Sequence, residues 1–205
     1  MPPYAKSERS AAQIVAAATR VLALKGYART SLLDIAREAG MSKGALHYHF
    51  PSKEALVSKV LESALQTFAV RTLEAWIRSA GDPMSALRSA VHELWLLRRN
   101  RTDEVAVVAD LLAQSLYDPN LRPQIAAYYS VAAQQVNQVL VPHLVQIGLR
   151  PKVAPELIPR LLVGLLDGLV MQHFVDETAI DTEEFLKAVE AIATALFEPI
   201  PPGPS

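Results

Sequence analysis

No cysteine occurs anywhere in the 205-residue chain. Its absence removes a disulfide framework, a cysteine-ligated zinc site and a thiol nucleophile together, and it suits a reducing cytoplasm. Long apolar runs are missing too. The stretch from Leu161 to Met171 is interrupted by Asp167 and falls short of the roughly 20 apolar residues that cross a bilayer. The opening MPPYAKSERS is polar and charged, without the apolar segment of a signal peptide, so no membrane partner is expected. Catalytic patterns are lacking as well. None of the histidines has a glutamate three residues before it, as a helical di-iron site needs, and no two glycines have dinucleotide-loop spacing. His47 and His49, two apart on a helix, point to nearly opposite sides and cannot share a metal. No catalytic residue, metal or cofactor is expected.

What is present is apolar content of 51%, enough for a folded core, arranged almost throughout at helical spacing. The class is all-α. A first helix is expected over about Glu8 to Lys25, stopped by Gly26, a second from near Ser31 to Gly40, and a third after Ser42. Pro51 and Ser52 separate these from a long helix, Lys53 to about Ser79. Five more follow at about Pro83 to Arg99, Glu104 to Tyr117, Pro123 to Ile147, Pro155 to Phe174 and Thr182 to Phe197, about nine in all. Asp82-Pro83, Asp118-Pro119 and Asp181 with Glu184 read as helix starts. The organisation expected is a first domain over residues 1–52, a larger helical domain over 53–198 and a disordered proline-rich tail over 199–205.

A net charge of −1 conceals a division. Residues 1–60 carry nine Lys and Arg against four Asp and Glu, whereas the remaining 145 carry eleven against seventeen. A basic module on an acidic protein is the footprint of a part that meets an anion. Within it, TSLLDIAREAGMSKGALHYHF (residues 30–50) has the plan of a helix-turn-helix. Ala36 supplies the small residue where two helices cross, Gly40 the turn residue that tolerates positive φ, and Ile35, Ala39, Met41, Leu46 and Phe50 an apolar seam. Ser42, Lys43, Gly44, Ala45, His47 and Tyr48 are left outside. Small residues at the start of the second helix would let it approach a major-groove floor, and serine, lysine and free N–H groups suit phosphate oxygens.

Gly26, Thr30, Ile35, Ala36, Ala39, Gly40, Ser42, Gly44, Leu46, Tyr48, His49, Phe50, Ser52, Lys53 and Leu56 together resemble the DNA-binding domain of the TetR family of bacterial transcriptional regulators. The resemblance implies an N-terminal three-helix DNA-binding domain followed by a ligand-binding and dimerisation domain. It further implies a cytoplasmic homodimer, usually a repressor, that binds a palindromic double-stranded operator and releases it when a small-molecule effector binds. Two positions depart from the family pattern. His47 stands where tyrosine is common and Leu33 where a polar residue is frequent; leucine can offer a base edge only contact with a thymine methyl. The expected DNA-binding set is Thr30, Ser31, Ser42, Lys43, Gly44, Ala45, His47, Tyr48, His49 and Lys53. His49 reads equally as a packing residue.

In the larger domain, Phe68, Thr72, His92, Trp95, Tyr128 and Gln135 are the effector candidates, polar or aromatic residues on otherwise apolar stripes, where ordinary core packing is the competing and more common role. With no arginine or lysine among them, a largely apolar ligand, neutral or cationic, is expected. Gly164 and Gly168, one turn apart in a helix, each forfeit about 1 kcal/mol of helix propensity. They are expected, with Phe185, Ala188, Ile192, Ala195 and Leu196, to form the dimer interface, the other reading being close packing inside one subunit. A helical protein that senses or sequesters a small molecule without acting on promoters is the competing function.

Overall fold

In a computed structural model the described residues are 3–79, 83–146 and 149–199. They form α1 (Pro3–Lys25), α2 (Leu32–Glu38), α3 (Lys43–His49), α4 (Lys53–Arg78), α5 (Pro83–Arg99), α6 (Asp103–Ser115), a 3-10 turn (Pro119–Leu121), α7 (Arg122–Gln146), α8 (Leu157–Val175) and α9 (Thr182–Leu196). The all-α class holds, with one addition. Leu149–Pro151 (β1) pairs antiparallel with Phe197–Pro199 (β2), Arg150 opposite Glu198. Strands of three residues offer no alternation to read, and the second begins where the sequence reading ends α9, so Pro199 belongs to a strand rather than to the expected tail. The tail beyond it and the Asp82 cap lie outside the described residues.

The chain divides into two compact units. The first combines Met1–Thr67 with Arg101–Tyr128, the second Phe68–Asn100 with Tyr129–Ser205. The boundary expected at residue 52 thus falls inside the first unit, because the early turns of α4 bury Leu56, Val57, Val60 and Leu61. In the same unit α1 packs along both α2 and α6.

In the first unit, Ile14, Ala17, Ala18, Val21 and Leu22 form the buried stripe of α1. Gly26 ends that helix at φ +74°, a left-handed conformation that glycine adopts without steric penalty. A capping box starts α2: the Ser31 hydroxyl accepts from the Asp34 N–H (3.1 Å) and the Asp34 carboxylate accepts from the Ser31 N–H (2.9 Å). Gly40, at φ +64°, ends α2 in a Schellman motif, with the Met41 N–H donating to Ala36 O and the Gly40 N–H to Arg37 O.

The second unit is built around Trp95 on α5. It is fully buried, its ring lies 4.7 Å from that of Phe185 on α9 and 5.6 Å from that of His173 on α8, and its Nε1 donates to Thr182 Oγ1. Val163, Leu166, Val170, Leu186 and Val189 complete that core. Truncating so large a buried ring removes about 3–5 kcal/mol of stability.

Candidate nucleic-acid interface

Burial sorts the helix-turn-helix residues into two groups. Ile35, Ala36, Ala39, Leu46 and Phe50 are buried and fix α2 against α3. Ser42, Lys43, Gly44, Ala45, His47 and Tyr48 are exposed, and Tyr48, 81% accessible, meets the edge of His49 at 5.1 Å between ring centroids. The Ser42 side chain caps α3 by accepting from the Ala45 N–H at 3.1 Å. One helix face therefore presents a lysine, a tyrosine and an imidazole around two small residues, and a thin helix start of this kind enters a groove closely.

Ion pairs absorb much of the basic surplus. Arg20 pairs with Glu38, Lys25 with Asp34 and Lys59 with Glu62. Among the described residues, Lys43 on α3 and Arg37 on the exposed face of α2 have no acidic partner, and Arg29 and Lys53 donate to backbone carbonyls instead, so unneutralised positive charge remains on and around the helix-turn-helix. Arg37, one turn after Leu33, is a basic group that the helix-turn-helix pattern alone did not single out. The Ser31 hydroxyl and N–H, with Lys25, hold the Asp34 carboxyl well below the usual carboxylate range.

Three expected contacts sit differently from the rest. Thr30 is buried, its hydroxyl donating to Gly26 O and its N–H to Tyr27 O; with both donors spent inside the turn it is a structural residue, which corrects its place in the DNA-binding set. Ser31 is exposed, but its hydroxyl hydrogen goes to Asp34. Lys53 is half-buried. Its Nζ donates to Tyr27 O at 2.5 Å and lies 3.7 Å from the Tyr27 ring centroid, and burial pushes its ammonium pKa down. On the other side of the same residue, the Tyr27 N–H donates to Asp110 Oδ2 at 2.6 Å. Sequence reasoning missed Asp110, which lies 83 residues from its partner in an ordinary amphipathic helix.

The effector candidates do not form one set. Tyr128 is buried in the first unit; Phe68 and Trp95 are buried, and Thr72, His92 and Gln135 half-buried, in the second. The charged cluster beside them was not anticipated. Arg98, buried, pairs with Asp167; Tyr129 donates to the same carboxylate at 2.9 Å; and the Phe68 ring centroid lies 5.6 Å from the Arg98 guanidinium. Burial pushes the Tyr129 phenol up. Among the described residues, Arg98 Nε, Thr72 Oγ1 and His173 Nδ1 are enclosed polar atoms with no hydrogen-bond partner. A cleft of about 280 Å³ is lined by Tyr129, Ala133, Arg160, Val163, Gly164 and Asp167. The one sequence signal for this cluster was Asp167, a carboxylate interrupting an apolar run.

Gly164 and Gly168 are exposed, and a Cβ added to either would meet nothing among the described residues within 4 Å. Among the described residues, no neighbour within the subunit packs closely on them. Leu157, Leu161, Met171 and Val175 are exposed on the same helix and join them at alternating spacings of four and three residues. On α9, Ala188, Ile192 and Ala195 are exposed and Leu196 half-buried. Phe185 is corrected: it lies in the core against Trp95. Taken whole, α8 has the length and hydropathy of a membrane span, although the stretch within it looked too short; Arg160, Asp167 and His173 interrupt its apolar surface.

Residues 14–60 match the tetR family of bacterial regulatory proteins, and residues 83–198 match the C-terminal part of BetI-type transcriptional repressors. The transcriptional regulator TtgR of Pseudomonas putida is 32% identical over 90 residues, 44% of this chain and 43% of that protein. The match therefore spans less than half of that relative's length. The regulator YvdT of Bacillus subtilis is 25% identical over 171 residues, covering 80% of this chain and 81% of YvdT. A crystal structure of a TetR-family regulator from Rhodococcus sp. superposes with a TM-score of 0.77 at 18% identity, covering 93% of this chain and 98% of that one. At that identity the likeness is one of fold.

Proposed function

The chain belongs to the TetR family of bacterial transcriptional regulators, and from that premise we propose that it is a homodimeric repressor that leaves its operator when an effector binds. The observation that carries this reading is the exposed face of α3, where Lys43, His47 and Tyr48 surround Gly44 and Ala45 with no protein surface to cover them. A helical sensor with no promoter to act on gives an 81% exposed tyrosine and an unpaired lysine no purpose. Lys43 and Tyr48 offer donors to DNA, His47 donates more strongly when protonated, and Ala45 can meet a thymine methyl. Lys53 uses one ammonium hydrogen on Tyr27 O and keeps two for a phosphate.

A seven-residue recognition helix spans few base pairs, so specificity requires two copies. The stripe through Gly164 and Gly168, with the exposed apolar residues of α9, is the pairing face of that dimer. The effector is a small, largely apolar molecule carrying at least one hydrogen-bonding group, for which Arg98 Nε and Thr72 Oγ1 are the unfilled partners. It acts by binding the DNA-incompetent form more tightly. The test is retardation of a duplex from the region upstream of the chain's own gene. Binding that weakens steeply with salt is expected, and no retardation at low salt would overturn the reading.

A further inference from the structure

The backbone of Tyr27 is held on both sides of its Cα by side chains from other helices. Its N–H donates to Asp110 on α6 (2.6 Å) and its C=O accepts from Lys53 at the start of α4 (2.5 Å). The residue lies in the turn between α1 and α2, the root from which the α2–α3 pair projects. With α1 ended by the left-handed Gly26, the Tyr27 N–H has no carbonyl of its own helix to donate to. A charge-assisted bond of this length is roughly twice as strong as a neutral one. The grip is also narrow. Asp110 stands two turns into α6, so a slide or twist of that helix by about 1 Å takes 2.6 Å beyond hydrogen-bonding range. The helix begins at Asp103, directly after the chain re-enters the first unit at Arg101.

We propose that Asp110 is a positioning residue for DNA binding: by holding the Tyr27 N–H from α6 it fixes where the helix-turn-helix stands, without touching DNA. The proposal rests on the DNA-binding reading and deepens it, since it places the link between α6 and the reading head in one carboxylate. Its electrostatic sign is distinctive. Removing an acidic charge from a DNA-binding unit tightens binding if the charge acts only through its field, whereas removing a positioning bond weakens binding. Asparagine, a neutral acceptor of the same shape, separates the two effects.

The experiment titrates the full chain and its Asp110→Ala, Asp110→Asn and Lys53→Ala variants against the labelled upstream duplex at several salt concentrations. In parallel, amide hydrogen exchange around residues 26–31 is followed without DNA. Asp110→Ala should bind about tenfold more weakly with an unchanged slope of log affinity on log salt, the loss expected for one charge-assisted bond. Asp110→Asn should stay within about threefold of the parent. Lys53→Ala should lose about 0.9 of slope, because it removes a phosphate contact as well. Exchange should quicken at Tyr27 in Asp110→Ala alone of the two Asp110 variants. Tighter binding by both Asp110 variants, or unchanged exchange in Asp110→Ala, overturns the proposal. If the parent chain fails to retard the duplex, the DNA reading fails, and the exchange measurement still decides whether Asp110 holds the turn.

Discussion

Asp34 shows how one residue can tie the start of the reading domain to pH. Its carboxylate accepts from the hydroxyl and N–H of Ser31 and pairs with Lys25 at 3.0 Å, which depresses its pKa. A group whose folded pKa lies below its unfolded value contributes stability above the unfolded value, about 3.9 for aspartate, and loses it as pH falls through the folded one. Thermal unfolding of the parent and Asp34→Asn should therefore differ most near neutrality, with the gap narrowing through the acid window below about pH 4. A gap that stays constant over that window would contradict the assignment. Thr30 shows the opposite lesson. Its motif position suggested a contact with DNA, yet a threonine in a turn also bonds its own backbone, and only the structure shows which partner the hydroxyl takes.

At the scale of elements, the signals that could be read in advance were local. Gly26 and Gly40 stop helices because a single residue must adopt positive φ, and Ser31 with Asp34, or Asp181 with Glu184, start them within four positions of sequence. Contacts between distant positions could not be read. β1 and β2 are too short to show alternation, and Arg98 meets Asp167 across 69 positions although its helix end, Arg98-Arg99, reads as routine dipole compensation. Phe185 was misplaced for the same reason, since the stripe on α9 does not say which of its residues face Trp95. The face through Gly164 makes its own prediction. In Gly164→Arg the new side chain meets no described residue of its own protomer at Cβ and replaces a poor helix former, so the protomer's folding should be unharmed and its helix propensity should improve by about 1 kcal/mol. Light scattering should then report a monomer with full helical content, and a persistent dimer would move the interface elsewhere.

Across the whole molecule, the parts that bear on function are an exposed reading helix, a narrow grip on the turn that carries it, and an exposed apolar stripe on α8. In the dimer we propose, two copies paired through that stripe carry two α3 helices, and a dimer of this kind reads two half-sites of a palindrome on one face of the duplex. In the same proposal, release follows when an effector favours an arrangement in which the two helices no longer match that spacing. Hydroxyl-radical footprinting of the chain on its own upstream region tests this most directly. The account predicts two protected patches related by two-fold symmetry, with centres about 10 base pairs or a small multiple apart, and joint loss of both in Gly164→Arg. A single asymmetric patch, or protection that survives intact in the monomer, would contradict it.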